Sequence, residues 1–287
     1  MNRLAVSQEE GIDALSRHPF DLLVQLHSEQ IRLDCAALHL ARDFYPHVDV
    51  ARYLAELDAL AAEVAARRPG LAATLRYQAM RYVLFGRHGL TGNRRDYFDP
   101  QNSYLNRVLD RHLGIPITLS VVWIEVGRRL KWPVSGVALP GHFLVRFDDP
   151  EQYVLTDPFN GGRALSLDDC RSLVAAQVER PIRLSRRHLE PVATRAILSR
   201  MLRNLRRLYL SQSDWRHLAT VLQRLSALEP RNGRHLQDLA AVYAQLGDVR
   251  GAYGCLRAYV ERLPNAGDLH LVRANLERLE AAIAALN

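Results

Sequence analysis

The last third of the chain repeats itself every 34 residues. The paired positions are Pro230 and Pro264, Tyr209 and Tyr243, Asp214 and Asp248, Leu222 and Leu256, and Leu205 and Leu239. A period of this length indicates a stack of small structural units, each of which buries its apolar face against its neighbour. The period therefore limits this region to a repeat architecture.

The content of one period favours paired helices. The second unit reads "LQDLAAVYAQLGDVRGAYGCLRAYVERLP", with small Ala240 and Ala252 where two helices must approach closely. A 34-residue helix–turn–helix period is typical of tetratricopeptide repeats. We predict an all-α domain over residues 191–287, with two repeats and a capping helix. Its concave side is the expected binding site for a protein or peptide partner.

The preceding part of the chain predicts a different class of fold. Residues 7–85 read mainly as helices. The segment "IPITLSVVWIEVGRRLKW" is apolar nearly all round from Ile117 to Val126, which predicts a central buried helix. Pro116 suits its first turn, where a missing N–H costs nothing. Strand-like segments follow, so we predict an α+β domain over residues 1–190.

Two of those segments predict a β-hairpin that carries a histidine and an aspartate. The runs "HFLVRF" and "QYVLT" are separated by "DDPE", which favours a turn. If Asp148 to Glu151 form the loop, Phe147 faces Gln152 and His142 faces Asp157. A carboxylate there would orient the imidazole, as in a nucleophile–His–Asp triad. The alternative is a half-buried histidine with a purely structural role.

The order of these elements resembles the transglutaminase-like branch of the papain-type cysteine enzymes. In that branch a Gly-x-Cys opens the central helix, whereas Gly114-Ile115-Pro116 stands here, so Pro116 occupies the position of the nucleophile. The segments "DYFDPQNSYLNRVLDRHLGIPITLSVVWIEVGRRL", "GVALPGHFLVRF" and "LTDPFNGG", joined to the repeats, resemble the bacterial SirB-type family. The resemblance implies a transglutaminase-like (papain-type) domain with a small antiparallel sheet, and a regulatory role.

Other residues are candidates to replace the missing thiol. Ser120 lies one helical turn beyond Pro116, although a hydroxyl there ordinarily bonds a carbonyl one turn back. Cys35 is a displaced nucleophile only if the N-terminal helices cover the cleft, and otherwise a packing residue. Cys170 has two acidic neighbours, which raise a thiol pKa, and Cys255 is expected to pack within a repeat.

A few polar residues are expected to line the cleft. These are Asn102, Ser103, Asn106, Ser120 and Asn160. Asn102 or Ser103 has an alternative role as the N-cap of the helix that "SYLNRVL" predicts. A metal site of His112, His142 and Asp157 has no supporting ligand spacing, and no nucleotide-binding motif occurs. We therefore expect no metal and no cofactor.

The net charge of +7 comes almost entirely from arginine, since Lys131 is the only lysine. The densest cluster comprises Arg180, Arg183, Arg186, Arg187, Arg195, Arg200, Arg203, Arg206 and Arg207. We interpret it as a solvated helix face, with an acidic partner as the alternative, and we do not expect nucleic-acid binding. Three widely spaced cysteines and the lack of a signal-like or membrane-spanning segment predict a cytoplasmic location.

Two functional hypotheses follow. The first is a non-catalytic regulatory protein that has lost the nucleophilic cysteine and binds protein partners through its repeats. The second is a cysteine-type amide hydrolase or transamidase that uses His142 and Asp157 with a displaced nucleophile such as Cys35. Removing the nucleophile of a triad lowers the rate by orders of magnitude, which favours the first hypothesis.

Overall fold

The structure, a computed structural model, describes residues 18–176 and 184–285. These residues form two compact units. The transglutaminase-like unit begins at Ser28 and ends at Met201, and the repeat unit combines residues 18–27 with residues 202–285. The expected boundary at residue 190 stays a prediction; in the structure, residues 18–27 belong to the same compact unit as the C-terminal helices.

The elements of the described residues are named here in chain order. The α-helices are α1 (Pro19–Leu23), α2 (Leu33–Arg42), α3 (Val50–Ala66), α4 (Ala73–Arg81), α5 (Leu105–Arg111), α6 (Pro116–Arg129), α7 (Leu167–Ala175), α8 (Thr194–Ser211), α9 (Trp215–Leu228), α10 (Arg234–Gln245), α11 (Val249–Arg262) and α12 (Leu269–Ala285). The strands are β1 (Thr91–Gly92), β2 (Leu113–Gly114), β3 (Val134–Leu139), β4 (His142–Asp148), β5 (Tyr153–Asp157) and β6 (Arg163–Leu165). A π-helical turn (Tyr82–Arg87) continues α4.

Helix α6 is the centre of the transglutaminase-like unit. Every residue from Pro116 to Gly127 is buried, which agrees with the apolar character of the sequence on all sides. Pro116 takes the first helical position, and Arg128 and Arg129 lie in the last turn. The Trp123 ring contacts the Phe147 ring of β4 edge-on, with centroids 6.2 Å apart. The predicted central helix therefore packs directly on the sheet.

The main sheet is antiparallel, with strand order β3-β4-β5-β6. A separate two-residue ladder joins β1 to β2 in parallel. The hairpin of β4 and β5 has a different register from the predicted one, since Phe147 pairs with Val154 and Arg146 with Leu155. The predicted pairing of Phe147 with Gln152 is wrong by two residues. An even shift keeps each side chain on its predicted face.

The cause of the shift is the turn itself. Asp148 still belongs to the ladder, paired with Tyr153, and the loop begins one residue later than predicted. The Asp149 carboxylate closes that loop by accepting hydrogen bonds from the backbone N–H groups of Glu151 (2.9 Å) and Gln152 (2.8 Å). Aspartate is well suited to such local turns.

The sheet face that carries Leu144 packs against α7 and a 3₁₀ turn (Arg186–Leu189). Its apolar cluster comprises Val137, Leu139, Leu144, Leu155, Cys170, Val174, Leu184 and Leu189. The chain then touches the sheet once more, because Val192 forms an antiparallel bridge with Gly136, with a backbone hydrogen bond of 2.9 Å. The expectation of purely helical structure after residue 190 is therefore wrong at Val192.

The repeat unit shows the predicted helical pairs, followed by α12. Asp214 and Asp248 are equivalent N-caps, which accept hydrogen bonds from the backbone of His217 (3.2 Å) and Gly251 (2.8 Å). The residues just before them, Ser213 and Gly247, both have positive φ angles of 54° and 77°. The period of 34 residues thus repeats backbone conformation as well as residue type.

Helix α1 is attached to the repeat unit by apolar and ionic contacts. Phe20 has no exposed surface, and Val24 is 2% exposed. The guanidinium of Arg224, on α9, lies 2.5 Å from the Asp21 carboxylate, and both side chains are buried. Position 258, one period after Arg224, is alanine, so this arginine belongs to the first repeat alone. None of the helices among the described residues is both long and apolar enough to span a membrane.

Candidate functional site

The candidate site is built around the first turn of α6. The ladder of β1 and β2 pairs Gly92 with Gly114, which directly precedes Ile115 and is thereby fixed in position. The Ile115 N–H then donates to the Asn102 carbonyl at 3.2 Å. Ile115 is the N-cap of α6 and contributes no side-chain cap, and Pro116 follows it. Pro116 therefore occupies the first helical position of α6, which the sequence resemblance predicts to be the position of the nucleophile.

His142 and Asp157 are the ionisable pair of this site. His142 is 6% exposed and Asp157 is fully buried. The His142 Nε2 atom lies 2.9 Å from the Asp157 Oδ2 atom. The oxygen lies away from the direction of an N–H at Nε2, so the contact is close without being a well-aligned hydrogen bond. Of the two ring nitrogens, Nε2 is therefore the one that lies against the carboxylate.

The Asp157 carboxylate is held in place by the turn that follows it. One oxygen, Oδ1, accepts hydrogen bonds from the backbone N–H groups of Phe159 (3.0 Å) and Asn160 (3.3 Å). The other, Oδ2, accepts one from the Asn160 side-chain amide at 2.5 Å. Three donors and the imidazole therefore surround one buried carboxylate, which compensates for its removal from water.

The ring of Phe159 connects the pair to the β1 region. It contacts the His142 ring edge-on, with centroids 6.2 Å apart. On its other side it lies so close to Gly92 that a Cβ atom at that position would collide with the ring. Glycine is therefore required at Gly92 for this close approach. The sequence indicated neither residue as part of the site.

The Ser120 hydroxyl is engaged in the helix backbone. Its Oγ donates to the Pro116 carbonyl at 2.8 Å, and the side chain has no exposed surface. This is the local hydrogen bond that a serine inside an apolar helix ordinarily makes. Ser120 therefore packs beneath the first turn of α6 and is not presented to a substrate.

Cys35 lies near the opposite end of α6 from Pro116. Its backbone N–H donates to Asp34 Oδ1 at 2.8 Å, and Asp34 Oδ2 accepts from Arg129 in the last turn of α6 at 2.8 Å. Thirteen residues of helix, roughly 20 Å, separate Arg129 from Pro116. Burial and the Asp34 carboxylate raise the pKa of the Cys35 thiol. Cys35 therefore lies within the charged network at the last turn of α6, and its role as a displaced nucleophile stays a prediction.

The other two thiols are also suppressed. Cys170 is fully buried on α7, where burial and the nearby Asp169 raise its thiol pKa to about 11. Cys255 lies in the repeat unit, where burial and Asp248 raise its thiol pKa to about 12. A buried thiol with such a pKa is a weak nucleophile at neutral pH because almost no thiolate forms.

Two asparagines, of which the sequence indicated only Asn102, hold the loop before α5. The Asn93 side-chain amide donates to Asn102 Oδ1 at 3.0 Å. The Asn102 amide donates in turn to the carbonyls of Asp96 (2.7 Å) and Tyr97 (3.3 Å). The N-cap of α5 is Tyr104, so the expectation that Asn102 or Ser103 caps this helix is wrong. Both fall in a 3₁₀ turn (Pro100–Ser103), where Asn102 bonds the loop instead.

The remaining residues that were expected to line the cleft lie in different places. Ser103 and Asn106 are buried, at 6% and 2% exposure, and Asn106 Oδ1 has no hydrogen-bond partner among the described residues. Asn160 contacts Asp157 directly. His112 lies elsewhere, because its ring contacts that of His88 with centroids 6.1 Å apart, beside a cavity of about 90 Å³. Within residues 18–176 and 184–285, no cluster of three or more metal-ligating side chains is arranged to hold an ion.

A second polar feature lies at the last turn of α6. Arg129 contacts Asp34 (2.8 Å), Asp58 (2.6 Å) and Glu125 (3.2 Å) beside a cavity of about 830 Å³. Burial disfavours ionised Asp34, but hydrogen bonds from Arg32 and Arg129 outweigh it and lower its pKa to about 2. Burial and the Asp34 charge raise the pKa of Glu125 to about 6. Within one network, the two carboxyl groups therefore titrate in different pH ranges.

Part of the arginine cluster is neutralised within the protein. Arg203 pairs with Glu229 at 3.0 Å, and Arg206 pairs with Asp238 at 2.7 Å. Arg180 and Arg183 lie outside the described residues. The cluster is therefore less available to an acidic partner than its sequence density indicates.

The chain is similar to known protein families and to individual proteins. The model of the transglutaminase-like superfamily matches residues 51–203, and that of the tetratricopeptide repeat matches residues 205–277. A UPF0162 protein of Xylella fastidiosa is 37% identical over 264 residues, covering 88% of this chain and 92% of the relative. A UPF0162 protein of Vibrio cholerae is 23% identical, covering 82% and 85% of the two chains.

A more distant similarity is confined to part of the chain. Human F-box only protein 21 is 33% identical over 135 residues, which cover 44% of this chain and 20% of that protein. No solved structure is significantly similar. The family models, the long bacterial relatives and the fold agree with one another. The chain therefore belongs to the transglutaminase-like superfamily, within the bacterial UPF0162 (SirB-type) family, and joins a transglutaminase-like unit to tetratricopeptide repeats.

Proposed function

We propose that this chain is a non-catalytic regulatory protein that binds protein partners. The observation that carries the proposal is Pro116 at the first position of α6. A helix N-terminus stabilises a thiolate through its free N–H groups and dipole, and this is where the fold would activate a cysteine. A proline ring offers neither a nucleophilic atom nor an ionisable proton.

The rest of the site supports the same proposal. His142 and Asp157 still form a close, buried pair, so the orienting half of a triad is present without its nucleophile. Cys35 belongs to the charged network at the other end of α6, and Cys170 and Cys255 have strongly raised thiol pKa values. The pair therefore serves to shape and rigidify the cleft.

The tetratricopeptide repeats supply the binding function. Stacked helical pairs present an extended concave surface, which typically receives a peptide or a helix of another protein. A regulatory protein of this design would use the repeats for its partner and the transglutaminase-like unit for a second contact.

The proposal is tested by two assays on the purified full chain. Hydrolysis of fluorogenic peptides and incorporation of a primary amine into a glutamine-containing protein should both stay at background between pH 6 and 9. Alkylation by iodoacetamide, followed by mass spectrometry, should label each cysteine more slowly than free cysteine. Turnover that His142→Ala or Cys35→Ser abolishes would refute the proposal and establish a displaced nucleophile.

A further inference from the structure

The loop that follows β1 exposes two aromatic side chains beside the candidate site. We call residues 93–99 the aromatic loop. Phe98 is 69% exposed and Tyr97 is 42% exposed. Single exposed hydrophobic side chains are common on proteins, but these two rings contact each other and form a patch, and exposed apolar patches are common at binding sites. They also give much contact area for little loss of side-chain entropy, which makes them common anchors in interfaces.

The exposed rings are the outer end of a continuous aromatic series. Phe98 contacts Tyr97 with ring centroids 5.4 Å apart, and Tyr97 contacts Phe159 at 5.8 Å. Phe159 contacts His142 at 6.2 Å. All three contacts are edge-on, which is a favourable arrangement for aromatic pairs. The series connects solvent to the buried imidazole.

The backbone of the aromatic loop is held before any ligand arrives. Asn93 Oδ1 accepts from the Asp96 N–H at 3.0 Å, and the Asn102 amide bonds the carbonyls of Asp96 and Tyr97. The Asn93 N–H donates to the Gly114 carbonyl at 3.1 Å, which ties the loop to the start of α6. A preorganised loop binds without the entropic cost of ordering itself.

The charges beside these rings are positive. Arg94 places its guanidinium 6.0 Å from the centre of the Phe159 ring and donates a hydrogen bond to the Asn160 side-chain oxygen. Arg95 is exposed. No carboxylate within the described part of the chain forms an ion pair with either arginine. Of the two aspartates in the aromatic loop, Asp99 is paired with Arg111 at 2.7 Å.

We infer that the aromatic loop is a docking site for an acidic peptide segment that carries an aromatic side chain. The aromatic side chain of the partner packs on Phe98 and Tyr97, and its carboxylates face Arg94 and Arg95. Asn160 extends the site inwards, since it joins Arg94 to the Asp157 carboxylate. This inference rests on the proposed function, because it assigns the cleft to recognition, and it names the kind of partner recognised.

The test uses the ¹⁵N-labelled full chain and synthetic peptides as probes. On one glycine–serine background, the peptides carry Phe with two Glu, Phe with two Lys, Ala with two Glu, or Ala with two Lys. Binding is followed through the NMR shifts of the amides in the aromatic loop and at Asn160. We expect the Phe–Glu peptide to bind about tenfold tighter than its Ala counterpart. It should bind about fivefold tighter than the Phe–Lys peptide.

Two variants and a matched control sharpen the test. Phe98→Ser should remove the preference for Phe, whereas Leu71→Ser, at an 81% exposed position elsewhere in the same unit, should leave it unchanged. Arg95→Glu should reverse the preference from Glu to Lys peptides. Absence of shifts in the aromatic loop at millimolar peptide would overturn the inference, as would shifts caused by a second copy of the chain alone. Cleavage of a peptide, seen by mass spectrometry, would instead contradict the proposed function.

Discussion

Asp157 Oδ2 lies 2.9 Å from His142 Nε2, although these two residues do not face each other across the sheet. The register of β4 and β5 places Leu144 opposite Asp157, two positions along the strand from His142. The pair is therefore a diagonal neighbour pair on one face. The carboxylate is directed by the turn after it, through Phe159 and Asn160, as much as by the strand.

We predict that Asp157→Ala lowers the free energy of unfolding by about 2–4 kcal/mol, because it leaves buried donors without their acceptor. The measurement is urea unfolding of the full chain, followed by Trp123 fluorescence in single-tryptophan variants. Asp168→Ala is the matched control, since the Asp168 side chain is 84% exposed and pairs with nearby Arg171. Its effect should stay below about 0.5 kcal/mol. Equal losses in the two variants would mean that Asp157 is not a structural anchor.

We predict that Pro116→Cys, made with the three native cysteines replaced by serine, gives a thiol with a pKa below that of free cysteine. The helix N-terminus and a protonated His142 both favour the thiolate. The pH dependence of alkylation reports this pKa independently of how accessible the sulfur is. Adding His142→Ala should raise the pKa of the introduced thiol. A cysteine introduced at exposed Ala62, away from the first turn of α3, serves as the surface control. Identical pKa values for the two introduced thiols would show that the start of α6 has lost its activating geometry.

We predict that Glu125 makes the protein less stable as the pH rises from about 4.5 to 6. Its pKa is about 6 in the folded protein, above the usual value for glutamate, so the folded state binds more protons in this window. Asp34 acts in the opposite direction at lower pH: its folded pKa of about 2 means that its stabilisation is lost as the pH falls from about 4 to 2.

The test compares the pH dependence of unfolding in the native chain and in Glu125→Gln. Between pH 4.5 and 7.5 the native chain should lose roughly 2 kcal/mol relative to the variant. Glu151→Gln, at an exposed position in the hairpin loop, should leave the profile unchanged. Parallel profiles for the native chain and Glu125→Gln would contradict the assignment.

We predict that the buried contact between Asp21 and Arg224 is strongly coupled. Arg224→Met alone should destabilise the repeat unit by about 3–5 kcal/mol, because it leaves a buried carboxylate without its cation. Adding Asp21→Leu should restore much of that loss. Thermal unfolding of the single and double variants forms a double-mutant cycle. Additive losses would indicate that the two side chains are not coupled and that apolar contacts such as that of Phe20 hold α1.

Sequence patterns that depend on many residues predicted the fold well. One such pattern is the 34-residue offset that relates Asp214 to Asp248, and another is the apolar character of α6 on all sides. Each pattern rests on many residues, so it remains recognisable when a single residue deviates from it. The register of the hairpin depends on one turn, and the carboxylate of Asp149 decided it by bonding two backbone N–H groups. Hydrophobic periodicity does not indicate whether the loop begins at Asp148 or at Asp149, because the two adjacent residues are identical.

The residues of the candidate site could be predicted only where they belong to a recognisable sequence motif. His142 and Asp157 were recognisable because each lies at one end of a strand that the sequence predicts. Asn93 and Phe159 contribute through contacts with residues distant in sequence, Asn102 and His142 respectively. The position of Asn102 suggested a helix cap, but its side chain bonds a loop that no periodic pattern describes. The attachment of residues 18–27 to the repeat unit is likewise a long-range contact, invisible to local propensity.

The separation of 203 residues between Asp21 and Arg224 has a consequence for synthesis on the ribosome. The intervening residues of the transglutaminase-like unit emerge as one uninterrupted stretch, so that unit has all of its chain before the repeats appear. Phe20 and Asp21 precede that unit in the chain, but Arg224, the partner of Asp21, is made only with α9, after that unit. Throughout translation, the nascent chain therefore carries an apolar side chain and a carboxylate whose burial awaits α9. A polypeptide truncated before α9 would keep both exposed, which would give chaperones and proteases a means to distinguish unfinished copies from complete ones.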